Sequence, residues 1–532
     1  MCLLLLCGSG VHAQISGVRT ERTGAQFVPL QSYVMGEAEG DLLFFGGLSG
    51  MGFHSLARDG RATFPHEAFN RYVHLHDPDS GTTRSAPIST LPHPLRQYLV
   101  TTNAQAVQID ERLLIYGGYG PETLTPSWAT WDTIIEIDLP AVREAILASL
   151  DLPPAAFTIH HSPAARVAGG AIVRFGAYFA LVGGSNFSGN YAEQLTFENE
   201  YSEAIHLFDP SESLSEPVRS WFDPQYHRRD GNVSLITLGP PGGQRPGFII
   251  HIGVFKPGRE VLPEVWEHPI IYDTLSGEMS LKTNFTQMMN QYEAPRLSFH
   301  SARKGENYLI TLGGLSGANW DGQGFVSNIT IPWVSDVTML TLRDADVVSE
   351  TVVGAALKPV TNAELVVNPD LPRNDLGQVK WDDLVAGEIL LGHFYGGIEA
   401  ANPGNSAVTH ASDTVYAVYA TIDTFRLDAT DLRAGEEATL SVTRAAPDSI
   451  VYFAYSTAGG GPTYLPPIGL SVDLSRPILV LGEAEADAQG RAEITFTVPP
   501  GAPEIDIWLQ AVNRESPGVY VKSNPIRSRI ER

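Results

Sequence analysis

Cysteine is almost missing from this 532-residue chain: Cys2 and Cys7 are the only two. Both lie in the apolar start Met1-Cys-Leu-Leu-Leu-Leu-Cys, which leads to Ala13-Gln14 and reads as a secretory signal over residues 1–13. The basic residues that usually open such a signal are absent, and Leu6 before Cys7 makes a poor lipidation site. Removal of the signal would leave no cysteine, which excludes disulfides, thiolate metal sites and cysteine nucleophiles together. Positive charge is scarce too, with 35 Lys and Arg against 60 Asp and Glu and a formal charge of -25. That balance repels phosphate backbones and anionic membrane surfaces, so neither nucleic acid nor membrane insertion is expected. Beyond the first residues no apolar run approaches the length that spans a bilayer. The expected location is secreted, periplasmic or at the cell surface.

What the chain has in quantity is glycine, 51 residues, and much of it is placed regularly. LLFFGG at Leu42–Gly47 returns as LLIYGG at Leu113–Gly118, FALVGG at Phe179–Gly184, LITLGG at Leu309–Gly314 and GHFYGG at Gly392–Gly397. A worn copy, FIIHIGVF, occupies Phe248–Phe255 with Val254 in place of the second glycine. The first glycines stand at 46, 117, 183, 253, 313 and 396, steps of 71, 66, 70, 60 and 83 residues. A fixed recurrence on this scale denotes a repeat architecture.

Around each pair the grammar is constant: a strand before it, a variable loop after it, then an alternating strand ending in an acidic turn. Examples are Tyr72–His76, Thr133–Leu139, Ala204–Phe208, Pro269–Tyr272, Asp336–Leu342 and Asp413–Tyr419. Period-two alternation rich in β-branched and aromatic residues predicts strands, and repeated four-strand units predict propeller blades. The glycines serve positive φ and close approach between neighbouring units, not phosphate binding.

This pattern resembles the kelch repeat, most clearly in Arg296–Ala302, Tyr308–Gly314 and Asp336–Leu342. The resemblance covers residues 32–424 and implies an all-β fold, a six-bladed kelch-like β-propeller in the galactose-oxidase-like superfamily. It departs where a Trp usually follows the acidic turn, and its steps are long for the family. The chain is similar to secreted bacterial kelch-type proteins of no assigned activity, which share long insertions and a His-Arg-Arg-Asp segment. Ala25–Val28 is placed to close the ring by giving a strand to the sixth blade. Pro140–Leu150 predicts a short helix, Thr283–Gln291 a helix or loop, and Ala355–Trp381 a long surface excursion.

After Leu427 the glycine-pair grammar stops. Glu436–Thr443, Ser449–Tyr455, Ile468–Val472, Ile478–Leu481, Ala492–Val498 and Ile505–Ala511 predict a β-sandwich of immunoglobulin or fibronectin type over 428–532, after a propeller over 14–427.

The chemistry is thinner than the architecture. Copper radical oxidases of the resembled superfamily need a cysteine-crosslinked tyrosine, which a cysteine-free mature chain cannot form. Kelch-type sialic-acid epimerases use Arg, His and Glu on the propeller face, and no complete motif of theirs is found. Tyr226-His-Arg-Arg-Asp230 is the most polar constellation, and strand alternation would put His227 and Arg229 on one side, Arg228 and Asp230 on the other. With Arg296, His300 and Trp320 these form the candidate ligand-binding set, though an Arg–Asp network pinning adjacent units accounts for the same residues. His54, His66, His74 and His76 cluster in the first unit without a third fixed ligand, and no metal or other cofactor is expected. Trp128, Trp131, Trp320 and Trp333 are expected exposed in loops, suited to sugar or protein binding. Asn186, Asn232, Asn284 and Asn328 head glycosylation sequons. The leading expectation is a non-enzymatic recognition protein for a glycan or protein ligand. The alternatives are a carbohydrate-active enzyme at the propeller mouth and a structural envelope component.

Overall fold

The apolar runs that close on glycine pairs are each the second strand of a set of four, paired antiparallel with the first. The computed structural model describes residues 14–54, 62–122, 127–192, 197–240, 242–257, 265–328, 330, 332–384, 387–404, 408–423, 425–516 and 519–532. The signal segment and both cysteines lie outside them. The chain is nearly all β and divides into two units. The larger comprises Gly17–Asp383 and Leu390–Ala420, the smaller Met1–Ser16, Leu384–Ile389 and Thr421–Arg532.

In the larger unit the first sheet is Val34–Ala38, Asp41–Phe45, Tyr72–Asp77 and Thr82–Pro87, in that order. The second starts at Gln105–Ile109, the third at Ala171–Phe175, the fourth at Val233–Leu238 and the fifth at Arg296–Ser301, each followed by three more strands. The sixth set is Glu364–Val367, Gly387–Tyr395, Thr414–Asp423 and, from the chain start, Gln14–Gln26, and through the last of these it is continuous with the fifth set in one nine-stranded sheet. The apolar cores lie between consecutive sheets. Phe179 and Leu181 pack with Tyr116 and Ile134 of the second sheet, while Ala180 and Val182 pack with Phe248 and Ile250 of the fourth. A strand buried on both faces reads as a continuous apolar run, which explains LLFF and LITL. The glycine pairs take left-handed φ throughout, and at Gly117 a Cβ would stand 2.2 Å from the Ala165 carbonyl oxygen. In the worn copy neither Gly253 nor Val254 takes a positive φ, so a valine fits where the other copies need a second glycine.

Several expectations need correcting. Ala355–Trp381 is not a surface excursion: it supplies Glu364–Val367, the inner strand of the sixth sheet. It also supplies Val379–Lys380, paired in parallel with Phe299 and His300, and a buried Trp381 stacked on Tyr308 at 4.0 Å. Four residues of strand between prolines are too few for periodicity to register. The strand given by the chain start is Gln14–Gln26 rather than Ala25–Val28, and it also runs parallel to Asp346–Ala355 of the fifth sheet, Val18 opposite Gly354. The predicted helix forms as Leu139–Leu147, with Asp138 accepting from the Ala141 amide at 3.0 Å. Thr283–Gln291 is a loop, held where Glu350 accepts from the Met288 and Met289 amides at 2.7 and 3.0 Å. Trp131 and Trp333 are buried rather than exposed, Trp131 against Tyr98 and Trp333 among Leu315, Ile398 and Ala400.

The smaller unit has a three-stranded sheet, Arg426–Ala429, Glu437–Thr443 and Ala492–Thr497. Its larger sheet includes Ile450–Ser456, Leu479–Glu485, Asp506–Ser516 and Ile526–Glu531. Leu427, Leu440, Val451, Phe453 and Leu509 fill one core between them.

Candidate functional site

Each inner strand of the larger unit is entered through one residue of left-handed backbone two or three positions upstream. These are Ser32, Asn103, Gly169, Asp230, Glu293 and Asn362, with φ of 52, 53, 66, 54, 46 and 54°. A small residue or Tyr33 follows each: Ala104, Gly170, Gly231, Ala294 and Ala363 complete the set. Their backbones link head to tail. Asn103 donates to Ser32 at 3.3 Å, Gly169 to Asn103 at 2.9 Å and Asp230 to Gly169 at 2.8 Å. Asn362 donates to Glu293 at 2.7 Å and Ser32 to Asn362 at 3.4 Å. Non-glycine residues with positive φ are uncommon and gather where surrounding structure over-determines them.

Two cavities meet at this ring. The axial one, about 220 Å³, is lined by ring residues and the first residues of the inner strands, including Ser32, Asn103, Gln105, Glu293, Arg296 and Glu364. The second, about 60 Å³, lies among the loops that follow the first three glycine pairs, with His54, Phe64, Tyr119, Tyr191, Arg229 and Asp230 in its wall. Phe64 and Tyr191 stack at 5.8 Å, and the His54 ring lies 4.8 Å from Phe64.

Arg229 is the charged centre of the loop-side cavity. Its Nε donates to Asp230 Oδ2 at 3.2 Å, and its guanidinium lies 4.0 Å from the Phe255 ring centroid and 5.2 Å from that of Phe187. Burial works against the charge, but Asp230, Tyr201 and the Tyr191 hydroxyl outweigh it and hold the pKa above the ordinary value. Burial, with Arg229 nearby, pushes the His54 imidazole down to about 4, so it is neutral at physiological pH. Glu293 is the opposite case. Burial first, then the Asp230 carboxyl to which it is hydrogen-bonded, raises its pKa well above the carboxylate range. A neighbouring carboxyl disfavours the charged form of Glu293 in the same sense as burial does. Asn362 Nδ2 donates to Glu293 as well.

The residues expected to act together are divided. Pro224–Tyr226 forms a 3₁₀ turn, with Asp223 accepting from the Gln225 amide at 2.9 Å, so no strand alternation governs 226–230. Arg228 is buried and donates to the carbonyls of Gln225, His251 and His268 at 2.9, 3.1 and 2.9 Å, a pin between the third and fourth sheets. Among the described residues no carboxylate pairs with it, and burial pushes its pKa down to about 9. His227 stacks on Tyr201 at 3.9 Å and contacts Glu203 at 3.1 Å. Arg296 lies in the axial wall, its Nε donating to the Val233 carbonyl at 3.0 Å, and among the described residues no carboxylate pairs with it. His300 sits four residues further along the same strand, buried against the Trp381 segment and outside both cavities. Trp320 is exposed on the hairpin Ala318–Trp320 with Phe325–Ser327, 5.1 Å from the Phe325 ring. Thus Arg229, Asp230 and Arg296 reach the ring, whereas His227, Arg228, His300 and Trp320 do not.

His74 and His76 do share a face, and each is occupied locally: His74 with Ser85 and Asn70, His76 with Thr83. No group of three potential metal ligands occurs among the described residues. Asn232, a sequon head, is buried and donates to the Gln291 carbonyl at 2.9 Å. Sequence reasoning missed Glu293, Tyr191, Asn103 and Asn362. A signal existed in the recurring pairs Asn103-Ala, Asp230-Gly, Glu293-Ala and Asn362-Ala, each just ahead of an inner strand.

No family model and no curated protein matches the chain. Among solved structures it is similar to one entitled "Structure of YjhT", at 11% identity and a TM-score of 0.40, covering 76% of this chain and 99% of that one. It is also similar to a novel fungal alcohol oxidase of the AA5 family in complex with copper, at 12% identity and a TM-score of 0.32, covering 98% and 99%.

Proposed function

We propose that residues 14–427 form a six-bladed kelch-like β-propeller of an exported protein, with a β-sandwich over 428–532, and that the propeller binds a carbohydrate in its axial cavity. The observation that carries this reading is the cavity's lining. Amide, hydroxyl, carboxyl and guanidinium side chains from the first, second, fifth and sixth sheets line a cavity of about 220 Å³, which Gly170, Ala171, Ile172 and Gly231 of the third and fourth leave open. Such a wall disfavours a wholly apolar ligand, whose burial would desolvate these groups without return, and suits a molecule rich in hydroxyls. The volume lies below the roughly 300–1,000 Å³ typical of drug-sized sites, which favours a monosaccharide unit. Arg296 and Glu293 are the residues expected to touch it. Titration calorimetry of the full chain against monosaccharides tests this. Saturable binding lost in Arg296→Leu supports the reading, and binding unchanged in that variant removes it.

A second reading is a carbohydrate-active enzyme, favoured by the Asp230–Glu293 pair. One carboxyl lines the loop-side cavity and the other the axial cavity, the two are hydrogen-bonded, and Glu293 is held above the carboxylate range. That is the equipment of general acid–base catalysis. Proton NMR of candidate sugars incubated with the protein would show conversion that disappears in Glu293→Gln.

A further inference from the structure

Gln105 opens the inner strand of the second sheet and lines the axial cavity at 5% exposure. Its Nε2 donates to the Asn103 carbonyl at 2.6 Å, while its Oε1 is buried and has no hydrogen-bond partner among the described residues. The orientation of the amide is fixed by that carbonyl, because the reversed amide would set two oxygens against each other. The wall facing it from the third sheet is Gly170, Ala171 and Ile172, none of which has a side chain able to donate. Gly170 keeps that space open, since a Cβ there would come within 3.5 Å of Gln105 Cδ. Buried acceptors are satisfied in folded proteins with few exceptions, and the exceptions call for a reason.

We propose that Gln105 is the specificity-determining residue of the axial cavity, its Oε1 accepting a hydrogen bond from a hydroxyl or ammonium group of the bound ligand. This rests on the carbohydrate reading above and adds what the ligand must present at one place. The group beside Gly170 is a donor; an anionic group there would meet the amide oxygen and be rejected. Arg296, across the cavity, is the complementary donor to the ligand's own oxygens. A hydroxyl and an ammonium share this chemistry, and a neutral sugar and its amino analogue separate them.

The experiment measures binding of D-glucose, D-galactose, D-mannose, D-glucosamine and D-galactosamine to the full chain by calorimetry, for wild type, Gln105→Leu and Gln105→Glu. Circular dichroism melting establishes that each variant is folded. The expected result is a loss of about tenfold or more in Gln105→Leu, where the ligand's donor is left unpaired. Gln105→Glu keeps the acceptor but lacks the amide that donates to the Asn103 carbonyl, so binding should weaken for every sugar while the preference shifts toward the amino sugars. Should Gln105→Leu fail to fold, Gln105→Glu alone decides: an unaltered amino-to-neutral preference overturns the proposal. Wild-type binding that both variants leave unchanged overturns it too, and assigns Oε1 to water while the carbohydrate reading stands. If no sugar binds the wild type, the carbohydrate reading falls and this proposal with it.

Discussion

Asp230 and Glu293 meet at the one place where the ring of backbone hydrogen bonds is open. The other five ring residues' links are formed, but among the described residues the Glu293 amide does not reach the Asp230 carbonyl, and the two side-chain carboxyls are hydrogen-bonded instead. The fourth and fifth sheets are therefore joined here by a titratable contact where the others are joined by peptide groups. Asp230 is also ion-paired with Arg229, so the Glu293 carboxyl, raised by burial and by this neighbour, meets a carboxyl that a guanidinium already holds.

Arg228 and Arg296 should behave as opposites. Arg228→Met leaves three carbonyls without their donor, and unfolding by denaturant should show a loss of about 2–4 kcal/mol. Arg296→Leu should cost far less stability and abolish sugar binding. Equal stability losses in the two variants would contradict the division.

Gly354→Ala should weaken the seam between the fifth and sixth sheets. A Cβ there would stand 2.0 Å from the Val18 carbonyl oxygen, on the strand given by the chain start. The expected cost is about 1–3 kcal/mol, read as a lower melting temperature. Deletion of residues 14–31 should cost more than the point substitution, since it removes the paired strand altogether.

Stability should depend on pH through two opposed groups of residues. Burial depresses His54 and His74 to about 4 and His251 to about 3. Their unfolded forms take up protons below about 6.5, so their contribution is full above that pH and is lost as pH falls towards 4. Burial raises Glu350 to about 7 from 4.5. Its contribution is full below 4.5 and is lost as pH rises towards 7. Glu350→Gln removes the opposing slope, so the gain in stability from pH 5 to 6.5 should exceed that of wild type by about 2 kcal/mol. Chemical denaturation at the two pH values checks it, and parallel curves would sink it.

The His54 imidazole should remain neutral to about pH 4, visible as an unshifted ring resonance at pH 5.5. Arg229→Gln removes a neighbouring positive charge and should move its titration upward. Titration near 6.5 in the wild type would show the ring to be solvated and the loop-side cavity open.

Much of the architecture was legible because it is written locally. Leu42–Phe45 and Leu309–Leu312 are apolar on both faces, and the glycine pairs after them need left-handed backbone, so composition alone places a strand end there. Glu364–Val367 was not legible: its inner position depends on Tyr395 and Phe394 lying beside it, far along the chain. The candidate site divides the same way. Arg229 and Asp230 stood out by their charge, but Glu293 is one acid among many until the ring brings it to Asp230. Arg228 and Arg229 are neighbours of identical chemistry, and only the fold sends one into three carbonyls and the other to a carboxylate.

The sequence by itself determined the repeat, the strand content and the acidic, cysteine-poor character, since these follow from residue type and short-range spacing. Tertiary structure alone decided which polar residues meet. Charges and hydrogen bonds act through space over a few ångströms, and the six segments that form the ring are separated by some sixty to seventy residues of chain.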